Sequence, residues 1–219
     1  GGYNQPVQFT TIFFDLDDTL YPATSGLWLA IKERMNDYMR ERMGFAAADV
    51  PRLREKYFRE YGTTLRGLQA NHKMDVDDFL AYVHDLPLRD FLTPDTTQRS
   101  VLASLSARRL IFTNADSIHA RRVLAALELD DLFDAIVDVN AVAPYCKPMP
   151  ESFTIAMKAA GETDPARCVM IDDLPRTTRA ARDFGMFGVL AHHPDPAPDA
   201  DAVFTDWRDL PALLNGSKL

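Results

Sequence analysis

Thr10-Thr11-Ile12-Phe13-Phe14-Asp15-Leu16-Asp17-Asp18-Thr19 sets a β-branched and aromatic run directly against a cluster of carboxylates. A continuous apolar run of this length, without polar alternation, is expected of a strand buried on both faces, as in a parallel sheet. Three further runs share its character: Leu110–Thr113, Ala135–Val139 and Cys168–Ile171. Phe187–Leu190 and Ala202–Phe204 are weaker candidates of the same kind.

Helical periodicity fills the intervals. His119–Leu127 places Val123, Leu124 and Leu127 on one stripe, and Ser152–Ala160 does so with Phe153, Ala156, Met157 and Ala160. Thr177–Phe184 is followed by Gly185, which suits a helix C-cap. Strands alternating with helices predict βαβ units, hence a Rossmann-like α/β core with helices on both faces of a parallel sheet.

The stretch from Ser25 to Asp90 breaks that alternation. It carries no strand signal and four helical patterns, Leu27–Met43, Val50–Tyr61, Leu65–His72 and Val76–Val83, interrupted at Gly44, Gly62 and Met74-Asp75. An all-helical cap domain inserted after the first strand is the expected organisation. Residues 1–20 and 95–219 then form the core and residues 21–94 the cap, with Pro87 and Pro94 bracketing the return.

Composition bounds the function. The 219 residues are 47% hydrophobic and 26% charged, as in an ordinary globular protein, and the net charge is −8. That balance argues against nucleic-acid polymers and anionic membranes as partners. A small anionic substrate is admissible where a metal, a lysine or backbone N–H groups supply local positive charge. No run approaches the roughly 20 apolar residues of a membrane helix, and no basic-then-apolar leader precedes the first strand. Gly1-Gly2 has the look of a cleaved expression tag. Cys146 and Cys168 lack the number and spacing of a disulfide framework or metal site, which suits reduced thiols and a cytoplasmic location. The sequence sets no oligomeric state, and a homo-oligomer is compatible with it.

Open α/β sheets bind ligands at the carboxyl ends of their strands, where Asp15, Asp17 and Asp18 stand. Alone, D-x-D-x-T also reads as a solvated acidic turn, a helix N-cap using Thr19 or a calcium-like loop. The other strand ends narrow that choice. Leu110–Thr113 ends in a hydroxyl and then the Asn114 amide, Cys168–Ile171 ends in Asp172-Asp173, and Lys147-Pro148 follows the Ala135–Val139 strand. Each of these has an ordinary reading as a cap, turn or surface charge, but their order along one sheet edge points to a single site.

That order resembles the haloacid dehalogenase-like (HAD) hydrolase superfamily over almost the whole chain. Its first motif corresponds to Asp15-Leu16-Asp17-Asp18-Thr19, its second to Thr113, its third to Lys147 and its fourth to Asp172-Asp173, and the helical insertion is similar to that superfamily's cap. Leu20-Tyr21-Pro22, Tyr61–Leu68, His72 and Asp85–Asp95 look like the pyrimidine 5′-nucleotidase branch. The resemblance implies Mg2+ held by Asp15 and Asp173, by a backbone carbonyl of Asp17, and by Asp172 either directly or through a water. It also implies aspartyl-phosphate chemistry. A divalent cation is needed because a bare carboxylate and a phosphate repel, and Mg2+ takes oxygen ligands while keeping several waters.

In that chemistry Asp15 is the nucleophile. Asp17 is the acid/base, with a pKa expected to be raised by neighbouring carboxylates or burial, and Thr113 and Lys147 steady the phosphoryl oxygens. Dehalogenase relatives lack the second aspartate of the first motif, so Asp17 favours phosphate esters. Arg66 and His72 on the cap are candidate substrate contacts, each with an alternative as a solvated helix residue, and Asn114 either orients Asp15 or the phosphate or forms a turn. Leu174 stands where the superfamily commonly has a small polar residue, and Asp18 where the branch often has Asn. A small phosphorylated metabolite such as UMP or CMP is the expected partner. A sugar phosphatase, a phosphoglycolate phosphatase, a phosphomutase or a non-catalytic module is the rival.

Overall fold

The computed structural model describes residues 9–215; Gly1 and Gly2 lie outside that range. Its strands are β1 (Thr11–Phe14), β2 (Arg108–Phe112), β3 (Ala135–Val137), β4 (Cys168–Asp172), β5 (Phe187–Ala191) and β6 (Ala202–Phe204). They form one parallel sheet in the order β3-β2-β1-β4-β5-β6. β1 therefore lies inside the sheet, and the chain changes direction across it between β3 and β4. Every strand anticipated from apolar runs is present, including the two weaker ones.

The apolar runs are continuous because both faces are covered. Ile12, Phe14, Ile111, Val169 and Ile171 point into one cluster, shared with α5 (Thr96–Ser104), α6 (Ser117–Ala126) and α9 (Leu210–Leu214). Phe13, Leu110, Phe112 and Met170 point into the other, against α7 (Pro150–Ala160) and α8 (Pro175–Phe184). Successive side chains on a strand face opposite ways, so both halves of each run are needed. α5 and α9 were not legible in the sequence. α5 is nine residues of weakly apolar chain that starts where the Asp95 carboxylate accepts from the backbone N–H groups of Thr97 and Gln98.

Between β1 and β2 come α1 (Leu27–Glu41), α2 (Val50–Tyr61), α3 (Thr64–Asn71) and α4 (Val76–His84), close to the four expected helices. They gather round their own apolar cluster, with Tyr38, Met39, Tyr57, Leu68, Phe79 and Val83 at its centre. Val139, on the loop after β3, joins that cluster and so ties the helical cap to the sheet.

Register places the site. Phe14 is level with Ile111 on one side and Ile171 on the other, so the residues that follow emerge at one edge. The Asp15 N–H donates to the Ile171 carbonyl at 2.9 Å, extending the ladder to Asp15 itself.

Gly62, between α2 and α3, has φ +85°, and a Cβ there would lie 2.6 Å from Cys146 Sγ and 3.0 Å from the Lys147 carbonyl oxygen. Gly44 has a similar φ of +75° with nothing within 4 Å. Gly44→Ala should cost only the left-handed backbone penalty, ~1 kcal/mol. Gly62→Ala should cost about 2–4 kcal/mol, because overpacking is added to it. Urea unfolding of the two variants checks the difference, and equal midpoints would refute the close approach.

Candidate active site

Asp15 is held by both of its oxygens. Lys147 Nζ donates to Oδ1 at 2.7 Å, and the Thr19 hydroxyl lies 3.0 Å from Oδ2. Lys147 Nζ also donates to Asp172 Oδ2 at 2.7 Å, so one ammonium bridges the ends of β1 and β4. Thr19 accepts from the Asp173 N–H at 3.0 Å and lies 3.2 Å from Asp173 Oδ1. Its hydroxyl sits inside the carboxylate group, so it is no helix N-cap, and the bare acidic-turn reading fails with it.

Lys147 is 3% exposed, with its ammonium 5.3 Å from the Phe112 ring centroid. Burial works against its charge, yet the adjacent Asp15 and Asp172 carboxylates hold its pKa above the ordinary lysine value. Oxygens of Asp15, Asp172 and Asp173 all lie within 4.8 Å of one another. Burial, then the neighbouring carboxylates, pushes Asp173 up to about 9. Burial likewise pushes Asp15 up to about 7, against the pull of Lys147. Fully ionised, these three carboxyls would outnumber the one ammonium by two negative charges, and the upward shifts of Asp15 and Asp173 register that crowding. Hard oxygen donors with that excess fit a divalent cation of the Mg2+ type.

Thr113 is buried at the end of β2; its hydroxyl oxygen accepts from the Ala115 N–H at 3.0 Å, which leaves its hydrogen for a ligand. Asn114 lines the same cleft, but its amide is engaged at both ends by the Lys147 backbone: Nδ2 donates to the carbonyl at 3.0 Å and Oδ1 accepts from the N–H at 2.9 Å. Of the roles weighed for it, neither turn-forming nor orienting Asp15 directly describes this. Asn114 sets the lysine.

Asp17 departs from expectation. Burial pushes its pKa up, but His119 and Tyr21 outweigh burial, and the net direction is down. Both donate to Oδ1, Tyr21 Oη at 2.6 Å and His119 Nε2 at 2.9 Å. The upward shift falls instead on Asp18, which burial, then the Asp17 charge, moves up to about 6. Asp18 takes φ +61° and leaves Oδ1 buried without a hydrogen-bond partner. Sequence reading passed over His119 as a helix start and Tyr21 as a branch signature. A histidine six residues after Thr113 and a tyrosine one turn after Asp17 were the available signals.

The two cap candidates lie elsewhere. Arg66, 6% exposed, donates to the Val139 carbonyl at 2.6 Å, to the Tyr145 carbonyl at 2.8 and 3.1 Å, and to Gln69 Oε1 at 2.7 Å. It fastens the cap to the loop that ends in Lys147. His72 Nε2 lies 2.7 Å from the Tyr57 hydroxyl, with its ring edge-on to Phe45, away from the cleft. Neither residue lines the cleft that holds Asp15; Trp28, Lys32, Arg54, Phe58 and Phe79 form its cap wall. Arg176, at the start of α8, lies over Phe58 at 3.6 Å and donates to the carbonyls of Phe58 and Gly62.

A family model described as haloacid dehalogenase-like hydrolase matches residues 9–185. The chain belongs to that family. It is 33% identical over 192 residues to Phosphate metabolism protein 8 of Saccharomyces cerevisiae, covering 81% of this chain and 60% of the yeast protein. The match thus spans less than two thirds of that relative's length. Among solved structures, YfnB of Bacillus subtilis, a putative HAD-hydrolase bound to magnesium, superposes with TM-score 0.66 at 16% identity, covering 95% of this chain and 99% of the other. A HAD phosphatase from Thermococcus onnurineus gives 0.64 at 18% identity, over 96% and 100%. L-2-haloacid dehalogenase from Xanthobacter autotrophicus gives 0.63 at 19%, over 96% and 100%. At these identities the three establish the HAD fold, with its Rossmann-like sheet and helical cap, and nothing finer.

Arg66→Met keeps much of the side-chain volume but orphans buried carbonyls, each worth about 1–3 kcal/mol. It should lower stability by at least ~2 kcal/mol in urea unfolding, whereas His72→Ala should change it by ~1 kcal/mol or less. A reversed order would restore the substrate-contact reading of Arg66.

Proposed function

We propose that the protein is a Mg2+-dependent phosphomonoesterase working through an aspartyl-phosphate on Asp15, with pyrimidine 5′-nucleotides such as UMP and CMP as its substrates. The observation that carries the phosphatase reading is Asp17, a second carboxyl two residues from the nucleophile and lining the same cleft. Displacing halide needs no proton, whereas an alkoxide leaving from phosphorus does. The metal, when bound to Asp15, Asp172 and Asp173, supplies charge neutralisation between nucleophile and phosphate.

In the first half-reaction an Asp15 oxygen bonds to phosphorus as the ester P–O bond breaks, and the departing oxygen takes a proton from Asp17. In the second, a water oxygen bonds to phosphorus, the Asp15–phosphorus bond breaks and the water's proton returns to Asp17. The phosphate's own negative charge, brought beside Asp17, favours its protonated form. Lys147 and Thr113 place an ammonium and a hydroxyl hydrogen where phosphoryl oxygens bind.

The nucleotide assignment draws support from the cap wall. Trp28 and Phe58 offer aromatic surface for a planar base, and Lys32 and Arg54 bring positive charge beside it. The yeast relative is named for phosphate metabolism. Residues 21–94 are taken as the cap and the remainder as the catalytic core. Both cysteines are free and buried, which favours a reducing, cytoplasmic setting, with a small phosphorylated metabolite as the partner.

With Mg2+ present, a panel of phosphomonoesters should show UMP and CMP turned over at least about tenfold faster than sugar phosphates and phosphoglycolate, and chelation with EDTA should abolish turnover. Equal rates across the panel would defeat the nucleotidase assignment, and a product that retains phosphate would mark a mutase. Asp15→Asn should leave no measurable turnover, and Asp17→Asn should lose about 10²–10⁴-fold, the usual contribution of a general acid.

Metal binding has its own readout. Mg2+ should raise the unfolding temperature of the native protein through ligand linkage, and Asp173→Asn should remove that rise. A full rise in the variant would exclude Asp173 as a ligand.

A further inference from the structure

We propose that His119, together with Tyr21, is a positioning residue that fixes which oxygen of Asp17 faces the cleft and so sets the efficiency of proton transfer to the leaving group. The inference rests on the reading of Asp17 as the acid/base of phosphoester hydrolysis, and it concerns residues outside the motifs that suggested that reading.

Asp17 Oδ1 accepts from two donors on separate elements, Tyr21 just beyond the first motif and His119 in the first turn of α6. No side-chain hydrogen bond within the described residues engages Oδ2. Turning the carboxyl to exchange its oxygens would break both bonds at once, so Oδ2 is the oxygen left for the substrate. Both donors are rigid: Tyr21 is 3% exposed and His119 1%.

The histidine is held by the cap of its own helix, and its ring by a stacked partner that is fastened in turn. Its backbone N–H donates to the Asp116 carboxylate at 2.9 Å, which caps α6. His84, the last residue of α4, stacks on it with centroids 3.9 Å apart and planes 13° from parallel. Arg122, one turn further along α6, donates to the carbonyls of His84 and Leu86 at 2.7 and 2.8 Å and so fastens the end of α4 to α6.

A histidine kept only to fill the core would use both ring nitrogens or give way to an apolar residue. Here Nδ1 is buried without a partner, so the ring is retained at a cost. The one bond it makes is to Asp17. The stacked His84 comes from the cap, so the placement of the acid/base also depends on how the cap's last helix sits on α6.

The test uses ring-substituted phenyl phosphates, which differ little in size but widely in how much the departing oxygen needs a proton. In the native protein with Mg2+, kcat/KM should depend only shallowly on leaving-group acidity. Asp17→Asn should steepen that dependence and serves as the benchmark. His119→Leu, which fills the space without a donor, should steepen it in the same sense, lowering phenyl phosphate turnover about tenfold more than p-nitrophenyl phosphate turnover, within the range general acids contribute. His119→Gln, whose amide N–H can occupy the place of Nε2, should bring the dependence back toward native. Tyr21→Phe should produce a smaller steepening and provides the reading should His119→Leu not fold.

If Asp17→Asn leaves the dependence unchanged, the acid/base reading of Asp17 fails. If Asp17→Asn steepens it while His119→Leu and Tyr21→Phe slow all esters equally, Asp17 stands and the positioning inference is overturned.

Discussion

One buried ammonium among three carboxyls is the constraint on which the rest of the molecule depends. Lys147 stands between Asp15 and Asp172 at 2.7 Å from each, with Asp173 alongside. Removing such a charge from water is costly unless its partners are placed well. Much of the surrounding structure places them. β1 and β4 pair in register so that their acidic ends emerge together, Asn114 grips the lysine backbone from both sides, and the Thr19 hydroxyl lies between Asp15 and Asp173. The crowding of carboxyls beyond what one ammonium can neutralise is a property of the folded chain itself, and a divalent cation is its natural complement.

The same logic explains the arginines at the seam between cap and core. Helix C-termini leave carbonyls without intrahelical partners. The Phe58 carbonyl, in the last turn of α2, and that of Gly62 just beyond receive the guanidinium of Arg176 from the core. Arg66 does the reverse, reaching from the cap to the carbonyls of Val139 and Tyr145 on the loop that leads to Lys147. A planar fork of donors satisfies several acceptors at once. The cap and Lys147 are therefore held by one set of bonds, and Gly62 is a glycine because a side chain there would strike that loop.

The sheet and the cluster at its edge were legible in sequence because both are written locally. A strand buried on two faces has no room for polar residues, and its end announces itself when polar residues resume. Asp15 and Thr113 directly follow such an end, Asp172 is the last residue of its strand, and Lys147 closes the loop after β3. Arg66 and His72 were misread because an arginine or histidine on a helix gives no sign of whether its partner is a ligand or a distant carbonyl. The carbonyl partners of Arg66 lie more than 70 residues away in the chain. Asp17 failed for the same reason. Neighbouring carboxylates, visible in sequence, argued for a raised pKa, while the decisive donor, His119, stands 102 residues on. α5 was missed because its short, weakly apolar stretch depends on the Asp95 cap and on burial of Gln98 against the Leu20 carbonyl rather than on a clear stripe.

Under the proposed mechanism, Asp15 and Asp17 are two identical side chains two residues apart with different work. An ionised carboxylate offers about four lone-pair directions. On Asp15, Lys147 and Thr19 each take one, on different oxygens, which holds the group still and leaves one direction on each oxygen. That suffices for one metal and one phosphorus. On Asp17 both donors crowd onto Oδ1, which uses up one oxygen and leaves the other clear to exchange a proton. A nucleophile has to share its charge with a cation while it attacks, and an acid/base has to keep one oxygen unencumbered through two steps. The distribution of donors suits the two proposed roles, and it is set by Lys147, Thr19, Tyr21 and His119 rather than by the aspartates themselves.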